Sequence, residues 1–397
     1  MNKIELLSPA GNLDKLKIAV LYGADAVFIG GKKFSLRARA SNFDLDAIKE
    51  ACEFAKKYGS KVYVTMNIIP QEEDYDGLVE YLQYLESVGV SAIIASSMHI
   101  IKTALEVTKN MEVHLSTQLS ITNSQACNYY EKLGIDRIVL GREVSLKQME
   151  DLRKRTNTDL EVFIHGGMCS SFSGRCMLSN HFVNRDANRG GCAHSCRWNY
   201  NLYKDNETLN QDGYFNFGSR DLYALRAVPE MIRMGINSLK IEGRMKSEYY
   251  IATVVRTYRM LIDDYYAGNE INFDFYTEEL KKAENRLAST GFLYGDVTVK
   301  EQLYERDEHP TKEFVGVVLG YENGIAKIEQ RNYFEVGDEI EFFGPQLSNK
   351  VVKVLQIKDV DGNNIEAARH PKMIIYIEVP FEVNEKDMLR LVIKKWD

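Results

Sequence analysis

The run Glu161-Val162-Phe163-Ile164-His165-Gly166-Gly167-Met168-Cys169 holds both features on which this chain is read. Its first five residues are mostly apolar, aromatic or β-branched, the composition of a buried strand, and the two glycines after His165 mark an abrupt turn out of it. Seven more short segments of this kind fall at residues 4–7, 26–29, 61–66, 91–95, 112–116, 137–140 and 238–241, with helix-patterned stretches such as 44–58 and 75–87 between them. Strand, helix, strand at intervals of ~25–35 residues is the pattern of parallel βαβ units. Eight units within about 240 residues predict an α/β chain built on a (β/α)8 TIM-like barrel. An open, doubly wound sheet is the alternative, but no Gly-x-Gly-x-x-Gly follows the first segment. Ser8-Pro9-Ala10-Gly11-Asn12 reads as a turn, not a phosphate loop.

The interval after the seventh segment, residues 166–237, is far longer than the others. Beyond the eighth, residues 248–267 and 278–288 read as amphipathic helices, and 301–313 as a charged linker containing His309-Pro310. The period then shifts to short alternating strands at 314–319, 324–329, 339–343, 351–357, 373–377 and 388–392, with turns at Asn323-Gly324 and Gly337-Asp338. The expected domains are a barrel over 1–250 with an insertion after strand seven at 166–237, a helical linker region over 251–312, and a small antiparallel β-barrel over 313–397.

The second feature is sulfur. Cys169, Cys176, Cys192 and Cys196 are spaced Cys-x6-Cys-x15-Cys-x3-Cys, whereas Cys52 and Cys127 sit alone in helix-like stretches. Gly166, Gly167, Gly174, Gly190 and Gly191 permit tight turns among the four. Gathered thiolates form a soft-ligand set suited to an iron–sulfur cluster or zinc rather than magnesium or calcium. The spacing matches neither the paired Cys-x2-Cys of a zinc ribbon nor a ferredoxin run, so it leaves the metal open. Two disulfides, or four unrelated buried thiols, are the plainer readings. The opening Met1-Asn2-Lys3-Ile4-Glu5-Leu6-Leu7 has no positively charged, cleavable leader, from which a cytoplasmic location and reduced thiols are expected.

A net charge of −7 argues against a protein that coats nucleic acid generally. Between Cys169 and Arg197, however, four arginines (175, 185, 189 and 197) stand against Asp186 alone. That patch serves either to bind anions or to pair with neighbouring carboxylates. No apolar run approaches the ~18 residues that span a bilayer, so no membrane partner is expected.

The pattern Glu161-x-Phe163-x-x-Gly166-x-Met168-Cys169-x4-Gly174-x-Cys176-x-Leu178-Ser179 resembles the signature of the collagenase-like, unassigned-peptidase family thirty-two. Asp186-Ala187-Asn188 and Cys192-Ala193-His194-Ser195-Cys196-Arg197-Trp198 resemble its continuation. So, in order along the chain, do Ser8-Pro9-Ala10-Gly11-Asn12 and Ile241-Glu242-Gly243-Arg244-Met245-Lys246. Gly167 departs from the usual serine or alanine, a small-for-small change. The resemblance implies an oxygen-independent RNA hydroxylation protein. Its relatives include prephenate-dependent proteins that form 5-hydroxyuridine at the wobble position of tRNA, and others acting on a ribosomal cytidine or on ubiquinone precursors. It further implies a 4Fe–4S cluster, with Cys169, Cys176 and Cys192 at ligand positions and Cys196 as the fourth. His194 is an alternative to Cys196. No cysteine follows Cys196, which argues mildly against the ubiquinone branch. A paralogous subunit is a further implied partner, beside tRNA.

In such a barrel the loops at the C-terminal strand ends build the active site, and the cysteine segment leaves from that end. The catalytic candidates there are His165, Arg142, Glu143 and Glu242. Candidates for holding an anionic small molecule such as prephenate are Arg37, Arg39, Asn67, Gln118 and Arg244, with Ser96 on the same rim. Each alone reads as well as ordinary strand-end hydrogen bonding. Tyr249, Tyr250, Tyr258, Tyr265 and Tyr266 either stack on bases or pack the helix against the barrel. Three functions compete: an RNA hydroxylase; a thiol peptidase using His165, His181 or His194; and a non-catalytic partner of a paralogous hydroxylase. The peptidase reading leaves four gathered cysteines unexplained, and neither His-Glu-x-x-His nor Gly-x-Ser-x-Gly is present.

Overall fold

The eight apolar segments close on themselves. In a computed structural model describing residues 3–35, 42–209, 214–283, 286–298, 301 and 314–392, β1 (Glu5–Pro9), β2 (Ala26–Gly30), β3 (Lys61–Met66), β4 (Ala92–Ala95), β5 (Glu112–Leu115), β6 (Arg137–Val139) and β7 (Asp159–Gly166) pair in parallel, each with the next. The insertion contributes β8 (Tyr203–Lys204), β9 (Glu207–Thr208) and β10 (Asp221–Tyr223). Then β11 (Ser238–Ile241) pairs in parallel with both β7 and β1 and seals the barrel.

Helices α1 (Leu13–Leu21), α2 (Leu45–Lys57), α3 (Leu78–Ser87), α4 (Met98–Val107), α5 (Ser124–Glu131) and α6 (Leu146–Arg153) follow the first six strands. Their starts are written locally. Asn12, Asp44 and Asn123 each accept an amide hydrogen bond from the third residue on, and Ser145 with Gln148 forms a capping box. The insertion holds α7 (Leu178–Val183), and α8 (Val228–Met234) precedes β11. The 20-residue α9 (Glu248–Ala267) is capped by Ser247 and ends at Gly268, whose φ is 74°. It belongs to the barrel's own core: Tyr249, Tyr250 and Tyr258 are buried in it, and Tyr266 accepts a hydrogen bond from the amide of Ile4. Packing is the role these rings take.

One helix is shifted. The stretch expected to be helical at 278–288 is instead α10 (Phe273–Lys281), because Asn272 caps an earlier start by accepting from the amide of Phe275. The end of the expected stretch becomes β12 (Ala288–Ser289), parallel to β10, which in turn runs antiparallel to the tip of β7. Most of the expected 301–313 linker lies outside the described residues.

The C-terminal strands are β13 (Phe314–Glu322), β14 (Ile325–Gln330), β15 (Phe334–Glu335), β16 (Glu339–Phe343), β17 (Lys350–Lys353), β18 (Ile357–Lys358), β19 (Asn364–Ile365), β20 (Ala367–Ala368), β21 (Ile374–Glu378) and β22 (Met388–Leu391). Eight form an antiparallel half-barrel in the order β17-β16-β22-β13-β14-β21-β18-β19, and β15 pairs with β20. Asn323 and Gly324, both at positive φ, make the expected hairpin turn. The single strand expected over 351–357 is broken between β17 and β18. The half-barrel docks through arginines. Arg390, fully buried, bonds Glu279 at 2.9 Å, pairs with Glu341 and lies over Phe343. Arg256 of α9 donates to the carbonyls of Gly344 and Leu347.

The barrel's interior carries charge. Glu5 accepts from Arg137 at 2.6 Å, Tyr63 at 2.6 Å and Ser238 at 2.8 Å. Glu161, fully buried, accepts from Lys240 at 2.6 Å and faces Arg137 at 3.5 Å. Burial pushes the Glu161 carboxyl up, but Lys240 and Arg137 outweigh it and hold the group below its ordinary range. Glu161→Ala therefore leaves a buried ammonium unpaired and is expected to destabilise the fold by about 3–5 kcal/mol. The double change Glu161→Leu with Lys240→Met is expected to recover part of that loss. Urea unfolding of the two variants measures both effects.

Candidate active site at the barrel mouth

Strand β7 delivers the chain to the mouth. Gly166 stands at φ 97°, and a Cβ there would collide with the carbonyl of Glu242, whose amide donates to His165 O at 2.8 Å. Only glycine lets the two strand ends approach this closely. His165 is buried between Tyr250 and Tyr258, its Nδ1 3.3 Å from the Tyr258 hydroxyl. Burial, reinforced by Lys246, holds its imidazole down at about 3, so it is neutral at physiological pH and unsuited to donate a proton there.

Arg142 lies 3.7 Å above the Phe163 ring and 3.4 Å from Glu242. Lys240 approaches Phe163 as well, at 5.4 Å, so this ring is contacted by two cations. Glu143 faces the insertion, accepting from the amide of Ser173 at 2.6 Å and its hydroxyl at 3.0 Å. Ser173 sits at φ 46°, and these bonds hold it there.

The expected rim is thus divided. Arg142 and Glu242 meet, and Glu143 joins the cysteine segment. Gln118 touches that segment through its backbone, its carbonyl accepting from Arg175 at 2.8 Å. Ser96 donates to Ile68 O, and Asn67 follows β3 half-buried. Arg244 is buried, donating to Ser35 at 2.9 Å and Asn42 at 2.7 Å against Gly30, so its guanidinium serves the β2–β3 side of the mouth. Arg37 and Arg39 lie outside the described residues. Two surface hollows, about 470 Å³ beside Asp274 and about 450 Å³ beside Tyr376, involve none of these residues.

The cysteine segment is sewn down at several points. Asn188 clamps Cys176, accepting from its amide at 3.2 Å and donating to its carbonyl at 3.0 Å, while the Asn188 carbonyl accepts from Ile69 N. Arg189 pairs with Asp74 and donates to Ile69 O. All six cysteines are free thiols; Cys169 is exposed, and Cys176, Cys192 and Cys196 are half-buried. Burial pushes the Cys196 thiol up; a hydrogen bond from Ser170 and the charge of Arg197 lower it, and Cys169 and Cys192 raise it further. Among the described residues no three His, Cys, Asp or Glu side chains are drawn together closely enough to hold a metal ion. As a donor set, four thiols on one anchored segment fit an iron–sulfur cluster. His181 and His194, the other peptidase candidates, are exposed, His194 in the left-handed region at φ 54°.

Asp221 went unread in the sequence. It is buried beneath the segment and faces Arg286 at 3.6 Å, Arg197 at 3.8 Å and Lys246 at 4.0 Å. Burial raises its carboxyl despite those cations. Its stretch, Arg220-Asp221-Leu222-Tyr223, lies in the long insertion without periodicity or motif, so no local signal singles it out.

Fold and site define a (β/α)8 barrel whose polar mouth is bordered by an anchored cysteine segment and whose outer helices carry an antiparallel half-barrel. The chain belongs to peptidase family U32: that family's model matches residues 11–303, and the model of its C-terminal domain matches residues 310–390. A relative in Bacillus subtilis named tRNA hydroxylation protein P1 is 46% identical, over 98% of this chain and 94% of its own. The tRNA hydroxylation protein P of Helicobacter pylori is 39% identical over 74% of this chain and 72% of its own. A Porphyromonas gingivalis protein named collagenase is 31% identical over 90% and 91%.

Two outcomes follow from this geometry. Glu143→Ala removes a charge-assisted bond of about 1.5–3 kcal/mol, so the Ser173 amide is expected to exchange hydrogen at least tenfold faster, with distant amides unchanged. For His165, the folded value of about 3 lies below the ordinary 6.5, so the unfolded chain binds the extra proton across that window. Stability is full above the ordinary value and falls as pH drops through it. Urea unfolding at pH 4, 5 and 7 is expected to show a shallower pH dependence, by up to one proton, in His165→Gln.

Proposed function

We propose that this chain hydroxylates transfer RNA, forming 5-hydroxyuridine at the wobble position without molecular oxygen and with prephenate as co-substrate. The observation that carries the reading is the 46% identity to tRNA hydroxylation protein P1, which runs through barrel, insertion and C-terminal module alike, over 98% of this chain. Cys169, Cys176, Cys192 and Cys196 would hold a 4Fe–4S cluster, which supplies the electron chemistry when bound. The chain's own residues would bind and orient. Arg142, fixed on Phe163, offers a guanidinium to a carboxylate of the small molecule, which would compete with Glu242 for it. The uridine has to leave its stack to reach the mouth.

The collagenase name of the Porphyromonas relative supports a second reading, peptide hydrolysis by a cysteine. Two measurements separate them. Anaerobically purified protein is expected to carry about four irons per chain, as a cubane on four cysteines requires, and Cys176→Ala to lose them. Incubated alone with tRNA and prephenate, the protein is expected to yield 5-hydroxyuridine. Zinc in place of iron, or unchanged 5-hydroxyuridine derivatives in cells lacking the protein, would sink the hydroxylase reading. Robust peptide cleavage by iron-free protein, abolished in Cys176→Ala, would establish the peptidase.

A further inference from the structure

The four arginines of the cysteine segment fall into two pairs. Arg189 faces Asp74 and Arg197 faces Asp221, so their charge is met by carboxylates. Arg175 and Arg185 are held by neutral carbonyls instead. Exposed Arg175 donates Nε to Gln118 O at 2.8 Å, and Arg185 donates to Cys192 O at 3.4 Å. A guanidinium fixed by a carbonyl keeps its full charge and has donors to spare for an anion.

Beside these cations lie large side chains facing solvent: Phe172 is 58% exposed, Met177 82%, Phe182 46% and Trp198 39%. Such a concentration on one segment marks a contact surface. Phe172 stands three residues after Cys169 and Trp198 two after Cys196, so exposed rings border the cysteine segment near both of its ends. A supporting stack runs from Phe182 to Tyr200 (5.6 Å) to Phe217 (5.6 Å), tied down by the Tyr200 hydroxyl on Ser195 O and the Phe217 amide on Cys196 O. Phe182 is thus presented on a built support, whose Tyr200 lies two residues from Trp198.

We propose that this face is a platform for single-stranded RNA, on which Trp198 and Phe172 stack bases while Arg175 and Arg185 hold phosphates, next to the mouth that takes the splayed-out base. This inference rests on the tRNA reading above. Charge complementarity selects the occupant: the chain as a whole carries −7 and repels a polyanion, whereas here Arg175 and Arg185, bonded to neutral carbonyls, stand against Asp186 alone within the segment. Alternating cation and ring is the arrangement that recognises unpaired nucleotides, whose phosphates and bases it meets in turn.

The test uses full-length protein and an anticodon stem-loop RNA. Trp198 and Trp396 are the chain's two tryptophans, so Trp396→Phe leaves Trp198 as the sole reporter. Titration with the RNA is expected to quench its emission. Trp198→Ala is expected to weaken binding about tenfold, the loss of one base–aromatic stack. Arg175→Ala is expected to lower the slope of log affinity against log salt by about 0.7, the value for one single-strand phosphate contact, and Arg175→Lys to keep it. Circular dichroism and iron content check that the variants remain folded. RNA binding by the parent protein that neither variant alters would overturn the platform and leave the tRNA reading standing. Failure of the parent protein to bind any RNA would remove both. Altered self-association in Trp198→Ala with RNA affinity intact would make the face a protein interface and end the proposal.

Discussion

Closure of the barrel rests on charges buried where its first and last strands meet. Glu5 enters on β1, Arg137 on β6, Glu161 on β7, and Ser238 with Lys240 on β11, and their bonds form one continuous network across the seam. Aliphatic layers usually fill this space. Here each carboxylate meets a cation and further donors, so its desolvation is offset only when all the strands are in register. A slip of one residue on β11 would turn Lys240 out of the barrel and leave Glu161 with Arg137 alone. The network therefore specifies the register that brings Gly166 against Glu242 at the strand tips.

From that register the mouth follows. The glycine at the end of β7 lets β11 pass close, which sets Arg142 of the preceding loop within reach of Glu242. The chain then leaves into a segment with little regular structure, and anchors replace a ladder: Glu143 on Ser173, Asn188 on Cys176, Asp221 facing Arg197. Each anchor falls within a few residues of a cysteine. Were the thiols to hold the proposed cluster, fixing the segment from several independent points would lower the entropy cost of gathering them.

The fold was largely legible in the sequence because its signals are local. Apolar runs recur at a barrel's period, Asn12, Asp44 and Asn123 stand at helix starts, and Asn323-Gly324 forces a hairpin. The α10 boundary was missed because Asn272 caps a start several residues before the polar run that marked one. Of the site, the cysteines and the rim pair Arg142 and Glu242 were visible as residue types. What they touch was not, since those partners come from distant strands. Asp221 and the seam charges are the clearest cases. A lone aspartate in an insertion, or a lysine in a strand, carries no mark of burial until the tertiary fold supplies its partners.

The same electrostatics bear on how the mouth can act. His165, at the end of β7, is kept neutral by burial and by Lys246, so it is poised to hold a hydrogen bond and poorly placed to shuttle a proton. Asp221 is shifted upward by burial yet faces three cations, an arrangement that fixes the segment. Arg142 is rigid on its aromatic support and permanently charged. Among the described residues of the mouth, then, the protein supplies shape, fixed positive charge and anchored thiols. A neutral imidazole and a permanently charged guanidinium suit binding and orientation.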